Sequence, residues 1–303
     1  MTIRGVIFLV LLLGCSSPGL CSHSHGKYSK SDREINAIGR RDIAYKDNWY
    51  AIEREKQLGT QQSAIFEHSY PLLQDNAVNT YVEQMAQKVA HNSDARMPIT
   101  VRVVDSSDVY AATLPGGYQY VTFGLLLRMD DECELASVLA RGIAHTALRS
   151  ATSEQSRVNT MQMMTTPLIF LGSSSSALGV GSTLPLTMVK FRREEETDAD
   201  YFGIQYVYKS GYDSECFVRA IRTIWSLPRY SDMPTSFSYF PPLSLRIVDL
   251  RKEIGEILPK LDSATTTMRE FIEFREHLLS LAPPKQEPTS EPKLIRADPE
   301  PRQ

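Results

Sequence analysis

The chain has 303 residues, of which 42% are hydrophobic and 23% charged, so it can bury a globular core and is neither disordered throughout nor a small disulfide-stapled protein. Its 33 basic and 36 acidic residues give a formal net charge of −3, and it contains no run of basic residues interleaved with aromatics. The electrostatic signature of a nucleic-acid-binding protein is therefore missing, and we expect no nucleic-acid partner.

The beginning of the chain has the pattern of an export signal. Arg4 is the one charged residue before a short apolar run, which ends in the sequence LLGC at residues 12–15. This ending resembles the box at which bacterial lipoproteins are cleaved and lipidated. We therefore predict a lipoprotein-type signal peptide over residues 1–14, lipidation of Cys15, and an exported, periplasmic protein anchored to the membrane. Ordinary signal cleavage before His23, giving a soluble exported protein, is the alternative.

The predicted elements of the folded part begin after a polar stretch, residues 15–48, which is predicted as a linker. Apolar residues at helical spacing start at Trp49 and recur over residues 76–91, which predicts helices. Alternating β-branched residues over 98–104 and 118–123 predict strands of one small sheet.

Helical periodicity returns after Asp130 and continues to residue 282, with one unusual segment. Residues 158–189 have no charged side chain but are interrupted by glycine, proline and four consecutive serines, so a membrane-spanning helix is not expected. The pattern predicts a helical hairpin that covers a cleft, with an element lying on a membrane surface as the alternative. We place the folded domain at 49–282, and residues 283–303, with six of the 17 prolines, are predicted to be a disordered tail.

The cysteines do not form a metal or redox motif, because no two of the four have C-x-x-C spacing. In an exported chain Cys133 and Cys216 could form a disulfide. Two free buried thiols are the alternative that the sequence leaves open.

The sequence ELASVLARGIAH at residues 134–145, preceded by LPGG at 114–117, resembles a known family. It is similar to the zinc metallopeptidases that include the BepA-like periplasmic proteases and the CAAX prenyl proteases. In that family ELAxVLAHEIAH lies on one helix and a later helix supplies a third ligand, to which the sequence ETDAD at 196–200 corresponds. The resemblance implies an α+β fold, a mostly helical zincin-like metallopeptidase domain with a small β-sheet, an active-site-type helix and a second ligand helix.

The chain departs from this family at the residues that carry the chemistry. In H-E-x-x-H, two histidines one helical turn apart share a zinc ion, and the glutamate polarises the bound water. Here Arg141 replaces the first histidine, Gly142 replaces the general base, and Phe240 replaces a further histidine near the cleft. An arginine cannot give up its proton to bind a metal, and a glycine offers no base.

The resemblance leaves His145 and Glu196 as vestigial metal ligands and Asp200 in the position that orients a ligand. Each residue also has an interpretation that involves no metal. His145 would be a hydrogen-bonded core histidine, Glu196 would be part of a solvated helix face, and Asp200 would be a local capping or pairing residue. With two ligands left, we expect zinc to be absent or weakly bound. We also expect the guanidinium of Arg141 to take the place of the metal and pair with Glu196.

Three functions follow from these observations. The leading hypothesis is a catalytically inactive pseudopeptidase that binds peptide or envelope-protein partners along a sheet edge. The first alternative is an active zinc metalloendopeptidase of envelope protein quality control, which recruits a ligand and a base from elsewhere. The second is a structural envelope lipoprotein with an incidental cleft.

Overall fold

The structure is a computed structural model that describes residues 28, 31–170, 174–225, 240–259, 261 and 263–282, without the side chains of 162 and 164–188. The predicted signal peptide, Cys15 and the proline-rich tail lie outside these residues.

Helices make up most of the described chain, as the α+β prediction requires. In chain order the α-helices are α1 (Ile52–Ser69), α2 (Asn76–His91), α3 (Phe123–Leu126), α4 (Glu132–Leu148), α5 (Ser150–Phe170), α6 (Ser174–Lys209), α7 (Glu215–Trp225), α8 (Leu243–Glu256) and α9 (Arg269–Leu281). Short 3-10 helices lie at Ser31–Arg33, Ile35–Ala37 and Pro115–Gly117. Since helical periodicity is a local property of the sequence, most of these elements were predictable from it.

A small mixed sheet covers one side of the helices. It has the strands β1 (Thr100–Val104), β2 (Ala111–Thr113) and β3 (Tyr118–Thr122), with β3 in the centre. β1 runs parallel to β3 and β2 antiparallel to it. The two predicted strands are confirmed, whereas β2 has three residues and too little alternation to be recognised from sequence.

Helix α4 lies at the centre of the core. It packs against α2, α6, α7 and the sheet. Leu135, Leu139 and Ile143 are spaced one turn apart along it and are fully buried. A disulfide between Cys133 of α4 and Cys216 of α7 ties two of these helices together, which decides the alternative that the sequence left open.

Part of the stretch predicted as a linker is packed against the domain. The buried guanidinium of Arg41 bonds Asp94 through Nη2 and Nε at 2.6 and 2.9 Å. The hydroxyl of Tyr45 donates to Asp198 at 2.6 Å, and the backbone N–H of Tyr45 donates to Leu148. These contacts attach residues 41–45 to the ends of α2 and α4 and to α6.

The charge-free segment 158–189 falls on the backbone of α5 and α6, with residues 171–173 between them outside the description. Two ion pairs join α5 to α6: Arg157 pairs with Glu195, and Arg192 pairs with Glu154. The structure contains, among the described residues, no helix long and apolar enough to cross a membrane.

Candidate functional site

A cleft of about 310 Å³ lies between strands β2 and β3 of the sheet and the helices α4, α6 and α7. Strand β2 forms one edge. A second wall comes from α7 and is apolar, since it consists of Phe217, Ala220, Ile221, Ile224 and Trp225. The floor is polar and is formed by side chains of α4 and α6, among them Arg141, His145, Glu195 and Glu196.

Arg141 is the residue that joins the two helices of the floor. Its guanidinium pairs with the carboxylate of Glu196, and its Nε donates to Oδ1 of Asp200 at 3.1 Å. Glu196 and Asp200 are one helical turn apart, so α6 presents both carboxylates to α4. The side chains of Arg141 and Glu196 are 16% and 17% exposed, which makes this a largely buried pair.

Asp200 binds a second arginine from α8. Arg246 donates to its two oxygens at 2.7 and 2.8 Å. Burial opposes the ionisation of Asp200, but the charges and hydrogen bonds of Arg246 and Arg141 outweigh it and hold the pKa of Asp200 below its usual value. Both guanidinium groups also lie against the ring of Trp225, at 4.9 Å for Arg141 and 4.2 Å for Arg246.

His145 lies beside this cluster as a neutral ring. Burial lowers its pKa to about 3, and the charge of Arg141 acts in the same direction. Its Nδ1 is 3.3 Å from the hydroxyl oxygen of Ser150, and its Nε2 is 3.9 Å from Oε1 of Glu196. The second distance is too long for a hydrogen bond, so the two vestigial ligands are neighbours without a direct bond.

The residues of the floor do not fit a zinc ion as they stand. Zinc sites use at least three protein ligands, and a guanidinium cation occupies the position next to His145 and Glu196. In the part of the chain that the structure describes, no group of three or more His, Cys, Asp or Glu side chains could hold a metal ion.

The other substituted positions also face the cleft. Phe240 lines it and meets the ring of Trp225 edge to face, with centroids 5.5 Å apart. Gly142 lies next to the side chain of Gln119 from β3. Sequence reasoning did not identify Trp225, Arg246 or Gln119, because no motif marks them and their importance comes from what they touch.

One carboxyl group in the floor of the cleft has a raised pKa. Burial raises the pKa of Glu195 to about 8, against the charge of Arg157, whose Nη1 donates to it at 2.6 Å.

Comparison with known proteins gives one family match and several relatives. The model of Peptidase family M48 matches residues 76–254. The chain is 25% identical over 225 residues to the "Beta-barrel assembly-enhancing protease" of Escherichia coli (strain K12), covering 69% of this chain and 45% of that protein. It is 30% identical over 145 residues to "Metalloendopeptidase OMA1, mitochondrial" of Bos taurus, covering 44% and 26%. It is 25% identical over 178 residues to "Metalloprotease YcaL" of Escherichia coli (strain K12), covering 55% and 67%. The chain thus spans less than half the length of the beta-barrel assembly-enhancing proteases that it matches.

Proposed function

As this chain belongs to peptidase family M48, we propose that it keeps the family's cleft without its hydrolytic chemistry and uses the cleft to bind peptide or protein partners of the cell envelope. The observation that carries the proposal is the ion pair between Arg141 and Glu196, which places a fixed cation among the vestigial ligands. The family's zinc supplies a Lewis acid and an activated water, and a guanidinium has no free lone pair with which to hold that zinc.

The missing general base counts against hydrolysis independently of the metal. Gly142 has no side chain, and loss of a general base alone slows such a reaction typically by about 10²–10⁴-fold. His145 is a neutral ring. Among the described residues it has no hydrogen-bonded carboxylate beside it, so it does not replace the missing general base on its own.

The edge of the sheet supports peptide binding. The N–H of Leu114 donates to Tyr118 and that of Thr122 donates to Tyr110, so these residues face each other in the bonded positions of the ladder. Because bonded and non-bonded pairs alternate in an antiparallel ladder, the N–H and C=O groups of Ala111 and Thr113 point away from β3. An extended peptide can pair with these outward groups as an additional strand.

The apolar wall of α7 supports a preference among peptides. It lines the same cleft as β2, so we expect a peptide paired with β2 to turn alternate side chains into the space that this wall lines. We infer that the cleft takes extended segments with large apolar side chains, of the kind that unfolded proteins expose.

The test uses fluorescently labelled, reduced and carboxymethylated α-lactalbumin, a permanently unfolded protein. We expect the full chain to bind it, measured by fluorescence anisotropy, and to leave it uncut on a gel. Thr113→Pro removes one outward N–H and should weaken binding about tenfold, while Thr113→Val keeps the N–H and should bind like the original chain.

Other outcomes select the alternatives. Absence of binding would favour the structural lipoprotein. Cleavage that a chelator abolishes would favour the active metalloendopeptidase, and the raised pKa of Glu195, together with the protease names of the relatives, is what speaks for that function. In that case Glu195→Gln should remove the cleavage.

We also propose that the protein is exported and anchored through Cys15. The export-signal pattern supports this, as does the disulfide between Cys133 and Cys216, since disulfides persist in oxidising compartments. Labelling with radioactive palmitate in a bacterial host, lost in Cys15→Ser, is the matching experiment.

A further inference from the structure

Gln119 is a buried polar residue of the cleft to which the proposed function assigns no role. It is the second residue of β3, is 3% exposed, and lies opposite Thr113 of β2 in the sheet register. Opposite residues of an antiparallel pair project on the same side of the sheet. Here that side faces α4, where both side chains converge on Gly142.

The absence of a side chain at Gly142 is what allows this approach. A Cβ atom there would lie 2.7 Å from Oε1 and 2.8 Å from Cδ of Gln119, and 3.0 Å from Oγ1 of Thr113. Contacts shorter than 3.0 Å essentially do not occur for real Cβ atoms. A side chain at position 142 therefore requires the buried carboxamide of Gln119 to leave its present place.

The nitrogen of the carboxamide is not held in place by a hydrogen bond. Its Nε2 is buried and has no hydrogen-bond partner among the residues that the structure describes. A buried amide without a partner lowers the stability of a fold, and an aliphatic side chain would avoid that cost. Packing alone thus gives no reason for a glutamine at this position.

We propose that Gln119 is the third component of the altered site. Its carboxamide fills the volume that the side chain of a glutamate at position 142 would have to cross, so it closes the position of the family's general base. The inference rests on the proposed function, because it concerns how the same cleft is kept without hydrolytic chemistry. Three positions, 119, 141 and 142, then separate this chain from a catalytic H-E-x-x-H site, where the sequence motif alone indicates two.

The first test compares the effect of Gly142→Ala on the Tm in two backgrounds, in which we expect effects of opposite sign. Alanine is favoured over glycine inside a helix, so Gly142→Ala should stabilise α4 wherever nothing obstructs the new methyl group. In the full chain we expect Gly142→Ala to lower the Tm by about 3–5 °C, and in a Gln119→Ala background to raise it. A raised Tm in both backgrounds would show that the carboxamide yields, and a lowered Tm in both would assign the obstruction to another group. Either result overturns the proposal.

The second test measures hydrolysis and zinc content together. The double variant Arg141→His/Gly142→Glu is compared with the triple variant that adds Gln119→Ala, with folding checked by circular dichroism and zinc content by mass spectrometry. In the presence of zinc, the triple variant should cut the labelled α-lactalbumin at least about tenfold faster than the double variant, because only there can the glutamate take the place of the general base. Equal rates, high or low, would overturn the role of Gln119. The unaltered chain is measured in parallel, and about one zinc ion per chain there would instead refute the proposed function.

Discussion

Arg141 makes contacts that a histidine in its place could not make. Its guanidinium pairs with Glu196, donates to Asp200 and lies against the ring of Trp225. A planar cation with several donors can serve two carboxylates and an aromatic face together, whereas a neutral imidazole cannot. The substitution therefore puts a residue that links α4, α6 and Trp225 at the position where the family has a metal ligand.

Removal of this cation should destabilise the protein strongly. Arg141→Ala leaves Glu196 largely buried without a counter-charge, and we expect the free energy of unfolding in urea to fall by about 3–5 kcal/mol. Adding Glu196→Ala should recover part of the loss. Arg192→Ala is the matched control, because Arg192 is 41% exposed in its pair with Glu154 and should cost less than about 1 kcal/mol. A loss for Arg141→Ala no larger than that of the control would contradict a buried pair.

At the scale of elements, the disulfide fixes α7 to α4. Cys133 and Cys216 are 83 residues apart in sequence, and the loop between them includes α5 and α6. Arg219 reinforces the junction, since it donates to Glu134 and Asp131 near the start of α4. The apolar wall of the cleft is thereby held against its polar floor.

The disulfide should contribute substantially to stability. For a loop of this length the chain-entropy model gives about 4.5 kcal/mol, and measured values are typically about 2–4 kcal/mol. We expect Cys133→Ala/Cys216→Ala to lower the free energy of unfolding in urea by an amount in this range. With a reductant present throughout the titration, the difference between the two proteins should disappear. Equal stabilities under oxidising conditions would mean that the cysteines are not paired in the protein.

At the scale of the whole molecule, a buried polar network joins distant parts of the chain. Arg41 bonds Asp94 and Gln205, and Gln205 donates to Glu253 of α8 at 2.9 Å. Tyr206 donates to the same Asp94. The segment before α1, the residues after α2, and the helices α6 and α8 thus share one set of hydrogen bonds.

Glu253 should make the stability of the whole fold depend on pH. Burial raises its pKa to about 7, against the hydrogen bond from Gln205, while the unfolded chain has the ordinary value near 4.5. The folded state therefore holds a proton that the unfolded state releases, so this stabilisation is complete below about pH 4.5 and is lost as the pH rises through about 7. Relative to Glu253→Gln, the original chain should lose up to about 3 kcal/mol between these limits.

Urea titrations at a series of pH values measure this loss. Glu276→Gln provides the control, because Glu276 is exposed on α9 and is not among the charges that act on Glu253, so its variant should follow the original chain. If Glu253→Gln shows the same pH dependence as the original chain, the carboxyl is not protonated in the fold.

The local patterns of the sequence determined most of the helices, two of the three strands and the family with its altered motif. These features depend on residues a few positions apart, whose spacing follows the helical period of 3.6 or the strand period of 2. The loss of the first histidine and of the glutamate is likewise visible in the sequence, at the consecutive residues Arg141 and Gly142.

The tertiary structure alone decided what those residues now do. The pair of Arg141 with Glu196, the sharing of Asp200 with Arg246, and the packing of Gln119 on Gly142 join positions on different elements. Cys133 and Cys216 meet across 83 residues in the same way. A one-dimensional pattern shows which face of an element is buried but not which side chain it meets, since that depends on how whole helices and strands pack.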